Sequence, residues 1–220
     1  MSERKQEEDF TNDVEELFKT ISDKDDINKS VEKIGVLEKK ARNGGDLKST
    51  TRLIVRAIEL CISQRDVEKL KEIVVGFSKK HGQMRAAISE MIRCASNVVD
   101  ESKVQTYTLS GKQREDLIET LRSVTEGKMF LEMERARLTF ILSEILLSRN
   151  ETRQSRDVLG ELQVETFGSL DKRQKTEYLL QQAFLNAQIN DWLQMKIVTN
   201  KINPKIFKED DTQVGLFINY

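Results

Sequence analysis

Residues 125–169 read TEGKMFLEMERARLTFILSEILLSRNETRQSRDVLGELQVETFGS, and their periodicity decides the fold. Met129, Met133, Ala136, Phe140 and Leu147 recur near one helical face, while Leu131, Leu138, Leu142 and Ile145 lie on another. From Leu138 onward such a helix is apolar over most of its circumference and is expected to be packed on two sides. Ala136 and Ser143 are small enough to let a neighbouring helix come close. The pattern stops at Arg149-Asn150-Glu151, restarts at Val158, Leu159 and Leu162, and ends at Gly168, where a C-terminal cap would sit. The stretch reads as two helices joined by a tight turn.

The same kind of pattern extends in both directions. Upstream, Val14, Leu17, Phe18 and Ile21 suggest a short first helix, and Ile27, Val31, Ile34, Leu37 and Ala41 a second, closed by Asn43-Gly44-Gly45. A third opens at Asp46 and carries Ile54, Ile58, Cys61 and Ile62; a fourth carries Val67, Leu70, Ile73, Val74 and Phe77 and ends at His81-Gly82. Met84, Ala87, Ile88, Met91, Ile92, Ala95 and Val99 make a fifth, and Asp100 to Gly111 reads as the longest internal loop. Leu117, Ile118, Leu121 and Val124 form the sixth helix, ahead of the central pair. Downstream, Tyr178, Leu179, Ala183, Phe184, Ala187 and Ile189 form a ninth, and Trp192, Met195, Val198 and Ile202 a tenth, stopped by Asn203-Pro204.

Composition agrees with this reading. The chain has 220 residues and one proline, and is dominated by residues that tolerate helix, with no long alternating stretch of the kind half-buried strands show. The fold class is all-α. With 36 basic and 37 acidic residues the charge is balanced, which argues against a nucleic-acid binder. Acid is concentrated at the start, where Met1 to Asp26 carries ten acidic and four basic side chains; residues 1–13 read as a flexible acidic arm. Cys61 and Cys94 sit among apolar helical positions and read as small buried hydrophobes. With His81 the only histidine, no metal site is expected, and no cofactor or small-molecule substrate either. MSERKQEEDF does not read as a signal peptide, and the longest apolar run, Leu138 to Leu147, is too short to span a bilayer. The expectation is a soluble intracellular protein, in which the sequons at Asn28 and Asn150 are incidental.

Turns within successive hairpins fall near Asp25, Asp66, Ser110, Glu151 and Asp191, that is 41, 44, 41 and 40 residues apart. A near-constant period of this size with little identity between units is the sequence form of a helix-pair solenoid, of about five antiparallel pairs over residues 14–203. Gly82 and Gly168 fit the same scheme two units apart. Residues 204–220 then read as the truncated start of a further repeat. Val214, Leu216, Phe217, Ile218 and Tyr220 make an apolar place to stop, so the chain is expected to be a fragment.

No motif carries chemistry. There is no nucleophile elbow, phosphate-binding glycine loop, HExxH or CxxC pair, and no catalytic residue is expected. Glu132, Glu134, Arg135 and Arg137 crowd opposite charges together, but at helical spacing they read as salt bridges. Lys79, Lys80 and Arg85 flank His81 and form a small basic patch, either a solvated face or the contact for an acidic protein partner; they are the candidate interaction residues. Trp192, just after a turn, reads as packing rather than as an interface anchor.

Four strings go beyond generic helix: LEKKAR (37–42), SKKHGQ (78–83), VTEGKMFLEMERARLT (124–139) and ELQVETFGS (161–169). Together with the closing KINPKIFKED (201–210), they resemble the family of proteasome lid subunits called non-ATPase regulatory subunit 12. The resemblance covers about Val31 to Asp210. It implies a right-handed, TPR-like solenoid of helix pairs followed by a winged-helix PCI module, and this sequence stops short of that module. It also implies a non-catalytic scaffold in ubiquitin-dependent degradation, found in cytoplasm and nucleus. Its partners would be other lid subunits, the ATPase ring and the core particle, and it would help keep the lid deubiquitinase inactive before docking. The alternative is an arm of a related PCI complex, the signalosome or a translation initiation factor.

Overall fold

A computed structural model describes residues 8–100 and 109–204. Among them are ten α-helices and no strand. The helices are α1 (Thr11–Thr20), α2 (Ile27–Asn43), α3 (Leu47–Ser63), α4 (Val67–Ser78), α5 (Arg85–Ser96), α6 (Gly111–Thr125), α7 (Glu132–Ser148), α8 (Thr152–Gly160), α9 (Lys172–Gln188) and α10 (Trp192–Thr199). Short 3-10 turns at Met129–Leu131 and Val164–Thr166 precede α7 and α9. The N-caps of the even-numbered helices are Asp26, Asp66, Ser110, Glu151 and Asp191, at or one residue from the turns expected from the sequence. Expectations for residues 1–7, 101–108 and 205–220 lie outside the described residues.

Four of the connections close in the same way. Gly45, Arg65, Asn150 and Asn190 adopt left-handed φ values of 74°, 58°, 63° and 61°. The next residue turns its N–H back to the carbonyl five positions earlier: Asp46 to Ala41, Asp66 to Cys61, Glu151 to Leu146 and Asp191 to Asn186, at 2.9–3.0 Å. This is the Schellman closure, which satisfies carbonyls that the helix end would leave bare. In all four the same residue is the N-cap of the next helix, and in three of them its side chain does the capping. Asp46, Asp66 and Asp191 accept from the N–H groups of Ser49, Lys69 and Gln194. A single acidic residue therefore closes one helix through its main-chain N–H and opens the next through its carboxylate.

The chain divides into two compact units, one running to Glu134 and one from Arg135. In the first, α3 packs against α1, α2, α4 and α5. Leu53, Ile54, Ala57, Ile58 and Leu60 on α3 are fully buried. Each such Leu or Ile stabilises the fold by about 1.5–3 kcal/mol. The arm expected over residues 1–13 is corrected in part, because α1 already begins at Thr11 and Phe10 donates its N–H to Asp46 Oδ2 at 2.9 Å. A side chain at Gly44 would come within 2.8 Å of the Phe10 ring, so that glycine makes room for the entering segment.

The second unit is built on Ala136, Leu159, Leu162, Val164, Leu179 and Leu185, with Phe140 and Tyr178 meeting edge-to-face at 5.8 Å. The close approach expected at Ser143 occurs: its hydroxyl lies 2.8 Å from that of Ser155 on α8, and both residues are fully buried. Three expectations are corrected here. The second helix of the central pair ends at Gly160, not Gly168, and Gly168 is not left-handed. Leu162 and Val164 reach the core from beyond the end of α8, Val164 as the first residue of a 3-10 turn, and Gln182 Nε2 donates to the carbonyls of Leu159 and Leu162 at 2.8 and 2.9 Å. Met129 and Met133 are 80% and 44% exposed although Ala136, expected on the same face, is fully buried; that face is covered from Ala136 onward and not over the 3-10 turn and the first turn of α7. Trp192 is 60% exposed rather than packed, since Val198 is the buried residue of α10.

Candidate functional site

The basic patch expected from the sequence sits at the α4–α5 connection. Lys79 follows the last residue of α4 and is exposed, and Arg85 opens α5 and is exposed, with its guanidinium 5.7 Å from the centre of the Phe130 ring. Lys80 faces inward. Its ammonium lies 2.6 Å from Glu38 Oε2 on α2 and 4.0 Å from the centre of the buried Phe77 ring. The three cations therefore do not form one surface: Lys79 and Arg85 face outward, whereas half-buried Lys80 is tied to the Glu38 carboxylate.

Glu38 is 0% exposed and gathers the rest of the site. Oε1 accepts from Arg42 Nε at 3.0 Å and from Gln83 Nε2 at 3.0 Å, and Oε2 accepts from Lys80. Arg42 Nη1 in turn donates to the His81 carbonyl. A carboxylate removed from water is tolerated only when its lone pairs are filled, and here both oxygens have charged or amide donors. The sequence reading did not single out Glu38, although a signal was present. Ile34, Glu38 and Ala41 lie at i, i+4 and i+7, so a charged residue interrupts a buried stripe.

Elsewhere in the first unit α1, α3 and α5 border an open groove of about 570 Å³, with Leu47, Thr51 and Val55 along α3, Phe18 from α1, and Arg52 and Arg56 beside them. Arg56 is bound to Asp23 at 2.7 Å, and Arg52 lies 5.6 Å from the Phe18 ring centre. In the second unit Phe184, Trp192, Leu193 and Ile197 expose apolar side chains on α9 and α10. Burial pushes the Cys61 and Cys94 thiols up to about 12 and about 11, so neither is a ready nucleophile. Among the described residues no group of three or more His, Cys, Asp and Glu is placed to hold a metal ion, and no helix is long and apolar enough to cross a membrane. What the described surface offers is contact chemistry: paired charges, outward cations that include Lys79 and Arg85, and exposed apolar side chains.

Comparison with known proteins agrees with that character. Residues 29–217 match the family described as PSMD12/CSN4, N-terminal. The chain is 33% identical over 217 residues to the 26S proteasome regulatory subunit rpn501 of Schizosaccharomyces pombe, covering 96% of this chain and 47% of that protein. It is 35% identical over 206 residues to the 26S proteasome regulatory subunit RPN5 of Saccharomyces cerevisiae, covering 93% of this chain and 45% of the relative. It is 34% identical over 192 residues to the 26S proteasome non-ATPase regulatory subunit 12 of Dictyostelium discoideum, covering 87% and 41%. The chain thus spans less than half the length of these relatives.

Proposed function

The chain belongs to the PSMD12/CSN4 N-terminal family, and from that premise we propose that it is the helical arm of a lid subunit of the proteasome regulatory particle. In this reading it is a non-catalytic scaffold in ubiquitin-dependent protein degradation, acting in cytoplasm and nucleus beside other lid subunits, the ATPase ring and the core particle. Residues 14–203 form a right-handed solenoid of about five antiparallel helix pairs. The observation that carries the proposal is the run of similarity to proteins named as proteasome regulatory subunits, extending over 93–96% of the chain in the two yeast relatives. The recurring N-caps and Schellman closures support the repeat architecture. Those relatives also favour the proteasome over the signalosome or an initiation factor.

Within this scaffold Lys79 and Arg85 present outward charge to carboxylates of a neighbouring subunit, while Lys80 positions the turn that carries them. The test is affinity capture of the tagged chain from cell extract, read by quantitative mass spectrometry. Recovery of lid subunits, weakened by Lys79→Glu with Arg85→Glu and by raised salt, is the expected result. Recovery of no proteasome subunit by the wild-type chain would refute the proposal. Recovery unchanged by the double charge reversal would remove Lys79 and Arg85 from the interface.

A further inference from the structure

The α4–α5 connection is built differently from the four Schellman turns. Its main-chain bonds, from Lys79 to Gly76, Lys80 to Phe77 and Gln83 to Lys80, are all 3.3 Å long. The N-cap of α5, Met84, offers no side-chain acceptor. The backbone alone therefore fixes this turn weakly. The strong contacts come from side chains that converge on one distant atom group, the Glu38 carboxylate. Lys80 and Gln83 reach it across 42 and 45 residues of sequence, and Arg42, itself bonded to Glu38, reaches on to the His81 carbonyl.

We propose that Glu38 is a register lock: an interior acceptor that fixes the α4–α5 turn in one position on the C-terminal end of α2. An apolar side chain at position 38 would fill the same space without burying a charge, and buried ion pairs are often replaced by apolar residues with no loss of stability. Stability alone therefore gives no reason for a carboxylate here. Geometry does. A carboxylate with three donors from two segments admits one arrangement of them, whereas an apolar contact admits several. Gly82, at φ 71°, lets the chain double back so that Lys80 and Gln83 can both point at the same carboxylate. The lock holds Lys79 and Arg85 on either side of one fixed turn. It acts within the chain whether or not those two cations touch a partner, so it can fail while the proposed interface stands, and the reverse.

The test is amide hydrogen exchange, resolved by NMR, on the purified 220-residue chain and its Glu38→Leu and Lys80→Met variants. The lock predicts that exchange at the bonded turn amides of Lys80, Gln83 and Met84 accelerates by about tenfold or more in both variants, while the amides of α3 keep their protection. Unchanged exchange at the turn in both variants would overturn the proposal. So would an equal rise across α2, α3 and α4, which would make Glu38 a general stabiliser. If Glu38→Leu does not fold, Lys80→Met, which keeps Arg42 and Gln83 on the carboxylate, decides on the same two criteria.

Discussion

Replacing Ser143 tests the packing of the second unit at its tightest point. The Ser143 hydroxyl lies 2.8 Å from that of Ser155, and the Ser155 hydroxyl also donates to the Ser143 carbonyl at 2.9 Å. Ser143→Ala removes one hydroxyl but leaves that carbonyl in place, so Ser155 keeps a partner and no buried group is orphaned. The loss is one ordinary hydrogen bond, about 1 kcal/mol. Ser143→Leu is a different perturbation. A branched side chain must enter a fully buried contact that admits only two oxygen atoms, which costs about 2–3 kcal/mol of overpacking in addition to the bond. For a chain of this size each kcal/mol lowers Tm by roughly 2–4 °C. Calorimetry should therefore show Ser143→Ala down by roughly 2–4 °C and Ser143→Leu by roughly 6–16 °C. The double variant Ser143→Ala with Ser155→Ala should lose less than the sum of the singles, because both remove the same contact. If Ser143→Leu melts with Ser143→Ala, the two helices do not cross closely here, and the packing of the second unit is misjudged.

Other consequences can be checked separately. The Asp46 carboxyl is opposed by burial, but the donors from Ser49 and Phe10 outweigh it and hold the group below its ordinary value of 3.8. Its stabilising contribution is therefore present above that value and is lost as pH falls through the lower folded one. Wild-type Tm should drop more steeply between about pH 5 and about pH 3 than that of Asp46→Asn, whose amide oxygen still caps α3. Asp66→Ala removes the acceptor that Lys69 N–H reaches at 2.8 Å and should cost about 1 kcal/mol in urea denaturation. Trp192 is the only tryptophan, and at 60% exposure its fluorescence should be red-shifted and readily quenched by iodide in the native chain. Both thiols should react slowly with a disulfide reagent at mild alkaline pH and rapidly once urea unfolds the chain, since burial keeps them protonated.

Much of this fold was legible because helix boundaries are local chemistry. In the sequence the turns near Asp66, Ser110 and Asp191 fall where the apolar period breaks, and only Asp46 reads as a cap. In the structure all four residues accept from main-chain N–H groups at helix starts, so the breaks and the caps coincide. The end of α8 was not legible. Gln182 from another helix donates to the carbonyls of Leu159, in its last turn, and of Leu162 just beyond it, and nothing at Gly160 or Gly168 announces that. Met129, Met133 and Trp192 were misplaced for a related reason. Periodicity tells which residues share a face but not which face finds a neighbour, nor over what part of its length. The candidate site shows both limits. Lys79, Lys80 and Arg85 were found as a charge cluster, yet the inward turn of Lys80 depends on Glu38, 42 residues away. The strings LEKKAR and SKKHGQ, noted separately for their family resemblance, supply the two halves of that contact.

The most direct test of the scaffold reading is a chimera in which this chain replaces the matching part of Saccharomyces cerevisiae RPN5, to which it is 35% identical. Assembly would be followed by native electrophoresis of cell extracts with a peptidase overlay. The account predicts that the chimera enters assembled 26S particles and that they retain activity. Particles that form only without the chimera, while the purified chimera is folded and helical, would contradict it.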